Sequence, residues 1–210
     1  MFCFRIPHRR GRPHFSKSAR SGTPGPVGLL RDGQGAALLE FAITLPLLVV
    51  FVVGIYDFSG AFNQKQKIEQ AAQEGAIIAG AQPMTDIASD KDNPDSLQPV
   101  VIAIFNSLAG SGVLPNAKLG TCTPPVTPTH VVDTNLKWKY TISSCPDDLV
   151  ITIDRGWVSA AGPPVAVGTI VQVSYPYHWR FNSVIQLLVP GASYAAITNL
   201  TESATVQNQM

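Results

Sequence analysis

The sequence contains few charged residues, and this shortage is its first constraint on function. Asp, Glu, Lys and Arg make up 14% of the 210 residues, whereas soluble globular domains usually have roughly 25%. A chain of this length has room for one modest domain and little else. Low charge in such a chain indicates a membrane segment joined to a polar, uncharged domain outside the cytosol.

Basic residues are concentrated at the N-terminal end, although the net charge is only +1. In the rest of the chain Lys and Arg are scattered, so we expect no nucleic-acid partner. Residues 1–35, rich in Arg, Gly, Pro and Ser, are interpreted as a basic cytosolic leader that is disordered or cleaved. A nucleic-acid-binding arm and extra residues from an upstream start codon are the alternatives. The basic residues before the apolar run are Arg5, Arg9, Arg10, Arg12, Lys17, Arg20 and Arg31.

Signatures of catalysis and of metal binding are missing from the sequence. There is no GxSxG, P-loop, HExxH or GxGxxG pattern, and no CxxC pair. His130 has no partner at zinc-ligand spacing, and the acidic residues around Asp147 do not form a calcium loop. We therefore expect no enzyme activity, no metal, no cofactor and no small-molecule substrate.

Cysteine is scarce, with three residues in the chain. Cys3 lies in the leader, whereas Cys122 and Cys145 lie in the distal part. In an oxidising compartment these two could form a disulfide, which would stabilise the fold by about 3 kcal/mol in the chain-entropy model. Two unpaired, partly buried thiols are the alternative.

One long apolar run is present, from Ala36 to Phe58. About 20 apolar residues suffice to cross the hydrocarbon core of a bilayer as a helix. A secretory signal peptide would be shorter and followed by a cleavage site, whereas here the helical pattern continues past Asp57. Pro46 is tolerated in membrane helices, and the positive charges before the run place the N-terminus in the cytosol. A core helix of a soluble protein is the alternative.

The helix is predicted to continue beyond the membrane as an amphipathic segment to about Gly80. Apolar and small residues recur every three or four positions, and polar residues fall mainly on the other face. Small side chains let another backbone come close, so either a neighbouring chain or the protein's own sheet packs on this stripe. Its members are Phe58, Ala61, Phe62, Ile68, Ala72, Gly75, Ala76 and Ala79.

The predicted fold class is α+β, with a transmembrane and amphipathic helix over residues 36–81 followed by a domain over residues 82–210. Residues 82–99 read as a linker before a short helix, Val100–Leu108. Residues 115–129 are loop-like. Alternating β-type runs then predict a small antiparallel sheet packed on the long helix. The runs are Leu136–Ile142, Leu149–Ile153, Thr169–Tyr175 and Ala192–Ala204.

An aromatic cluster surrounds Arg180 near the C-terminal end. Amphipathic aromatic side chains favour membrane interfaces and partner surfaces. We interpret the segment as a loop that covers the core, and contact with the membrane interface or a partner is the alternative. The aromatic residues are Tyr175, Tyr177, His178, Trp179 and Phe181.

One carboxylate, Glu40, interrupts the apolar run near its cytosolic end. An ionisable group in a bilayer span costs about 2.5–3.5 kcal/mol and is by default a functional residue. A positive partner relieves that cost, and a free α-amino group on a neighbouring chain would provide one. Glu40 is therefore the leading candidate for an assembly residue.

The segment Gly35–Phe41, GAALLEF, is similar to the processing site of type IV prepilins. The longer segment from Gln34 to Leu48 resembles TadE-like pseudopilins of the tight-adherence (Flp pilus) machinery. Asp57-Phe58, the AAQEGA sequence at 71–76 and the VQVSYPY strand at 171–177 are similar to the same family.

This resemblance implies cleavage by a prepilin peptidase between Gly35 and Ala36. It also implies that Glu40, with Phe41 beside it, pairs with the new terminal amine of an adjacent subunit. The chain would then be a minor pilin-like (pseudopilin) subunit of the bacterial inner membrane, with its C-terminal domain in the periplasm or within a pilus. An uncleaved signal anchor is the alternative to processing.

The partners that the resemblance implies are other Tad pilins or pseudopilins and assembly-platform proteins, in adhesion or in secretion. Two rival functions stand beside it. One is a membrane-tethered periplasmic binding or scaffold protein that does not polymerise, and the other is an anchored hydrolase.

Overall fold

The computed structural model describes residues 33–87, 92–115, 120–124, 127–131, 136–143, 145–158, 166–181, 186, 191 and 197–209. Positions 1–32 of the predicted leader lie outside these residues. The chain divides into two compact units, one ending at Pro46 and the other beginning at Leu47.

Helix α1 runs from Gly33 to Ala81, three residues earlier than the predicted start. In the first unit its described part is entirely helical and largely exposed. The Thr44 hydroxyl donates to the carbonyl oxygens of Glu40 (3.0 Å) and Phe41 (3.3 Å), so this hydroxyl is satisfied without solvent. At the other end, Pro83 follows α1 closely, and proline cannot continue a helix.

Helix α2 runs from Gln98 to Gly110 after a 3₁₀ turn at Asp95–Leu97. Pro99 lies in its first turn, where the missing N–H costs nothing. The predicted linker is wrong for residues 94–97, because Leu97 is fully buried. The Asp86 carboxylate accepts a hydrogen bond from the Ser96 N–H at 2.8 Å, which holds this segment against the domain.

Five strands form one sheet in the order β1-β2-β3-β4-β5, and every neighbouring pair is antiparallel. The predicted α+β class is confirmed: a long apolar N-terminal helix precedes an antiparallel sheet. The two-residue strand β1 lies at the end of a segment predicted as loop. The strands are β1 Thr129–His130, β2 Lys137–Ile142, β3 Leu149–Val158, β4 Val167–His178 and β5 Ile197–Gln207.

Strand β4 extends three residues beyond its predicted end at Tyr175, which corrects the interpretation of this segment as a loop. The cause is long-range pairing, since β5 continues alongside β4 until Ile197 lies opposite His178. The predicted start of the last strand, residues 192–196, lies outside the described residues.

The core lies between α1, α2 and one face of the sheet. Period-two alternation turns Trp138 and Tyr140 of β2 inward, as the pleat requires. Small residues on α1 permit close approach: a Cβ on Gly75 would lie 2.5 Å from the Ile104 side chain, and one on Gly80 would lie 2.8 Å from Val206. The small-residue stripe therefore packs on the protein's own domain over residues 68–80. Phe62, predicted in the same stripe, is 64% exposed.

Candidate functional site

The predicted processing and assembly residues lie in the first turns of α1. Ala36, Glu40 and Phe41 are exposed, and a Cβ added at Gly35 would meet nothing within 4 Å. Ala36 and Glu40 are four residues apart and so share one face of the helix. The structure thus brings the predicted cleavage position and the carboxylate together on an accessible surface.

The surface around Glu40 is strongly apolar. Leu38 and Leu39 are 70% and 65% exposed, and the same exposure continues through Ile43, Leu47, Leu48 and Phe51. One helix among the described residues is long and apolar enough to cross a membrane, and none of its most apolar window is buried within the protein. So large an apolar surface marks a site for lipid or for other apolar helices.

At the far end of the apolar run, the buried carboxyl group of Asp57 joins α1 to β4. Its Oδ1 accepts a hydrogen bond from the Tyr177 hydroxyl (2.9 Å), and its Oδ2 accepts one from the Phe181 N–H (2.8 Å). Gly60 leaves room for the tyrosine, because a Cβ there would lie 2.6 Å from the Tyr177 hydroxyl oxygen. We call Asp57, Tyr177 and Phe181 the junction clamp.

The clamp perturbs the titration of Tyr177. Burial, with the hydrogen bond to Asp57 next in size, raises the pKa of Tyr177 to about 12. On the same strand, burial and the nearby Asp147 charge raise the pKa of Tyr175 to about 12. The Tyr175 hydroxyl donates to the carbonyl oxygen of Cys145.

The aromatic residues beyond β4 stack beside the clamp. Trp179 meets Phe58 edge-on with ring centroids 5.2 Å apart, and it meets Tyr177 in the same way at 5.1 Å. The Trp179 indole N–H donates to the Thr198 hydroxyl at 2.8 Å. An apolar groove of about 500 Å³, which we call the junction groove, opens here between helix and aromatic rings. It is lined by Val50, Phe51, Gly54, Ile55, Asp57, Phe58, Trp179 and Phe181.

A second, polar pocket of about 360 Å³ lies on a different face of α1. It carries two cations, Lys67 of α1 and Arg180 from the aromatic segment, together with Tyr56 and Ser59. In the sequence Arg180 stands between the two rings of the junction groove, yet it lines this separate pocket. The segment therefore presents rings to one side and a positive charge to another.

The C-terminal end of α1 is held by Arg155, which is fully buried on β3. Its guanidinium group donates to the carbonyl oxygen of Ala79 and to that of Gln82 (2.9 Å). The Arg155 Nη2 atom, which donates to Gln82, also lies 2.8 Å from Met84 Sδ. Cations stabilise the carbonyl end of a helix, although burial lowers the pKa of Arg155 and the Asp86 charge partly opposes that shift.

The structure joins Cys122 and Cys145 by a disulfide, with Cα atoms 4.7 Å apart and a sequence separation of 23. Both residues are buried in the core. The bridge ties the loop before β1 to the turn between β2 and β3, close to the Tyr175 hydroxyl.

Two functional features escape sequence reasoning. The first is the contact between Asp57 and the aromatic segment, because no local pattern pairs residues 120 positions apart. The second is the role of Arg155. Its only sequence indication is that a charged residue follows the alternating apolar positions of β3. An inward-facing charge at that register is the one clue that could have found it.

These features define a class: an α+β domain joined to a single apolar helix that can cross a membrane. Residues 35–76, about a fifth of the chain, match the family model described as TadE-like protein, which confirms the resemblance of the N-terminal segment. The chain is therefore similar to TadE-like proteins over this N-terminal segment. No curated protein and no solved structure matches this chain.

Proposed function

We propose that this protein is a minor pilin-like (pseudopilin) subunit of a tight-adherence pilus or related secretion system. Its role is structural, and it acts through helix-mediated assembly. The observation that carries the proposal is the exposed apolar surface of α1 in the segment that matches the TadE-like family, since none of its most apolar window is buried within the protein. Such a surface is stable only in lipid or against other apolar helices.

The proposed location is the bacterial inner membrane, with one crossing. The basic residues before the apolar run favour a cytosolic N-terminus, and the distal domain then lies in the periplasm. The disulfide between Cys122 and Cys145 supports this orientation, because disulfides persist in oxidising compartments.

Processing would create the charge partner that Glu40 needs. Cleavage by a prepilin peptidase between Gly35 and Ala36 removes residues 1–35 and leaves a free α-amino group on Ala36. That amine is positively charged and can pair with Glu40 of an adjacent subunit. Opposite charges attract much more strongly in a low-dielectric layer than in water, so an unpaired Glu40 penalises a wrong register.

The proposed partners follow from two surfaces, the apolar part of α1 and the surface of the distal domain. The apolar helix would contact other Tad pilins or pseudopilins and the assembly-platform proteins in the membrane. The domain over residues 82–210 would carry recognition outside it. Phe41, exposed beside Glu40, would contribute apolar contact at the same subunit boundary.

The test compares Glu40→Gln with Glu69→Gln in cells that hold the complete pilus machinery. Glu69 is an exposed carboxylate on the same helix but beyond the apolar run. Glu40→Gln keeps the shape and removes the charge, so we expect normal membrane insertion and a loss of roughly tenfold or more in recovery with other pilus subunits, since an ionisable group in the span is functional. Glu69→Gln should assemble as the wild type does.

If Glu40→Gln were recovered with the other subunits as fully as Glu69→Gln, charge pairing in assembly would be wrong. The membrane-tethered periplasmic binding or scaffold protein would then be favoured.

A further inference from the structure

The junction groove has one wall in the apolar run and one wall in the domain. Val50, Phe51, Gly54 and Ile55 make the helix wall, and the run ends immediately beyond them at Asp57. In a helix that crosses a bilayer, these residues lie in the hydrocarbon layer just inside its outer boundary. The opposite wall, Trp179 and Phe181, is therefore at nearly the same depth.

The depth of the domain wall is fixed by hydrogen bonds. The Phe181 N–H and the Tyr177 hydroxyl both donate to Asp57, and Trp179 packs edge-on against Phe58. The two rings cannot withdraw from the membrane boundary without breaking the clamp. Since the groove is lined almost wholly by apolar side chains, water gains few hydrogen bonds there.

We infer that Trp179 and Phe181 insert into the outer leaflet and that the junction groove holds an acyl chain of a phospholipid. Tryptophan suits this position, because its ring is apolar and its N–H is polar. Its N–H is already bonded to the Thr198 hydroxyl, so the ring can enter the leaflet without an unsatisfied donor.

The charges beside the groove agree with a lipid surface. Arg180 lines the polar pocket just beyond the apolar run, at the level where phosphate groups begin, and Lys67 lines the same pocket farther along α1. A basic side chain at this level is attracted to anionic headgroups. The aromatic segment thus offers rings to the acyl layer and a cation to the headgroup layer.

This inference rests on α1 crossing the bilayer, as the proposed function does, but it does not rest on cleavage or on pairing at Glu40. It concerns one subunit and its lipids. A chain that fails to assemble can still anchor its domain in this way.

The test uses the full chain reconstituted at low protein density in phosphatidylcholine and phosphatidylglycerol vesicles, with or without bromine on the acyl chains. Bromine quenches tryptophan on contact. The chain has three tryptophans: Trp138 is fully buried, and Trp157 lies opposite Gly168 at the far end of the sheet from His178. Trp157→Phe is therefore the matched control for Trp179→Phe.

In brominated vesicles we expect the wild type and Trp157→Phe both to lose the Trp179 share of emission. With equal emission from each tryptophan, that share is about a third of the total for the wild type and about half for Trp157→Phe. Trp179→Phe should lose almost none. Equal quenching of the wild type and Trp179→Phe would overturn the inference.

Vesicle flotation separates this failure from that of the proposed function. A chain that floats with the vesicles but shows no Trp179-dependent quenching contradicts only the lipid groove. A chain that does not float contradicts the membrane crossing itself, and with it both proposals.

Discussion

The carboxyl group of Asp57 accepts a hydrogen bond from the hydroxyl of Tyr177 at 2.9 Å, across 120 residues of sequence. Asp57 lies at the outer end of the apolar run, and Tyr177 lies near the end of β4. The bond therefore fixes the domain to α1 at the point where the helix would leave the membrane. A domain attached in this way moves with its helix, whereas a flexible linker would release it.

Asp57→Asn tests the junction clamp. An amide has one oxygen acceptor in place of the two carboxyl oxygens, so the Tyr177 hydroxyl and the Phe181 N–H cannot both keep a side-chain acceptor. The Tyr177 hydroxyl retains only the backbone carbonyl oxygen of residue 57, which lies 3.0 Å away. We expect the free energy of unfolding to fall by about 2 kcal/mol, measured by denaturant unfolding of the full chain in detergent. Asp148→Asn, at an exposed turn, should change it by less than about 0.5 kcal/mol. Equal effects of the two variants would contradict the clamp.

Arg155→Met tests the hold on the distal end of α1. The carbonyl groups of Ala79 and Gln82 lose a charged donor, and hydrogen bonds to charged groups contribute about 1.5–3 kcal/mol each. Because methionine also avoids the desolvation of a buried cation, we expect a net loss of about 3 kcal/mol in unfolding free energy. Arg155→Lys should have an unfolding free energy between those of the wild type and Arg155→Met. An ammonium group keeps the charge but lacks the planar geometry that lets a guanidinium donate to two acceptors at once.

Lys139→Met removes the same charge from an exposed position on β2 and should leave the stability nearly unchanged. If Arg155→Met unfolded at the same denaturant concentration as Lys139→Met, the guanidinium would not be stabilising the helix end.

The buried tyrosines predict a loss of stability in alkali. The pKa values of Tyr175 and Tyr177 are raised from 10.0 to about 12, so the folded protein holds these protons more tightly than the unfolded chain does. Their contribution to stability is complete below pH 10 and is lost as the pH rises through about 12. Ultraviolet titration of tyrosinate should show a late phase that coincides with unfolding.

Tyr177→Phe should remove part of that late phase, because it removes one of the two hydroxyls whose pKa is raised to about 12. Ionisation of all tyrosines in one step at their ordinary pKa would show that burial does not protect them.

Reduction tests the disulfide and the compartment together. Opening the Cys122–Cys145 bridge frees a loop of 23 residues, which should lower the unfolding free energy by about 3 kcal/mol in the chain-entropy model. Thiol alkylation of protein taken from native membranes should find both residues blocked until a reductant is added. A Cys122→Ala, Cys145→Ala double variant should be insensitive to reductant. Free thiols in the native protein would place the domain in a reducing compartment.

Local patterns predicted most of the fold. The apolar run and the three- and four-residue spacing located α1 to within three residues at its start. Alternation located the inner face of the sheet through residues such as Ile151 and Val173. These features depend on side chains near one another in sequence, so a single sequence contains them.

Long-range pairing accounts for what the sequence did not predict. The end of β4 depends on where β5 stops pairing with it, and the role of Arg155 depends on the position of Ala79, which is 76 residues away. The aromatic segment was interpreted as a cover for the core because nothing local connects it with Asp57. Such relationships are set by topology, which spacing rules do not encode.

The N-terminal mass of the protein in its native membrane tests the central claim most directly. If α1 is an assembly helix, protein purified from cells that contain the prepilin peptidase should begin at Ala36, with residues 1–35 removed. The same protein from cells without the peptidase should retain them. Retention of Gly35 and the preceding residues in the presence of an active peptidase would contradict processing, and α1 would then be an uncleaved anchor.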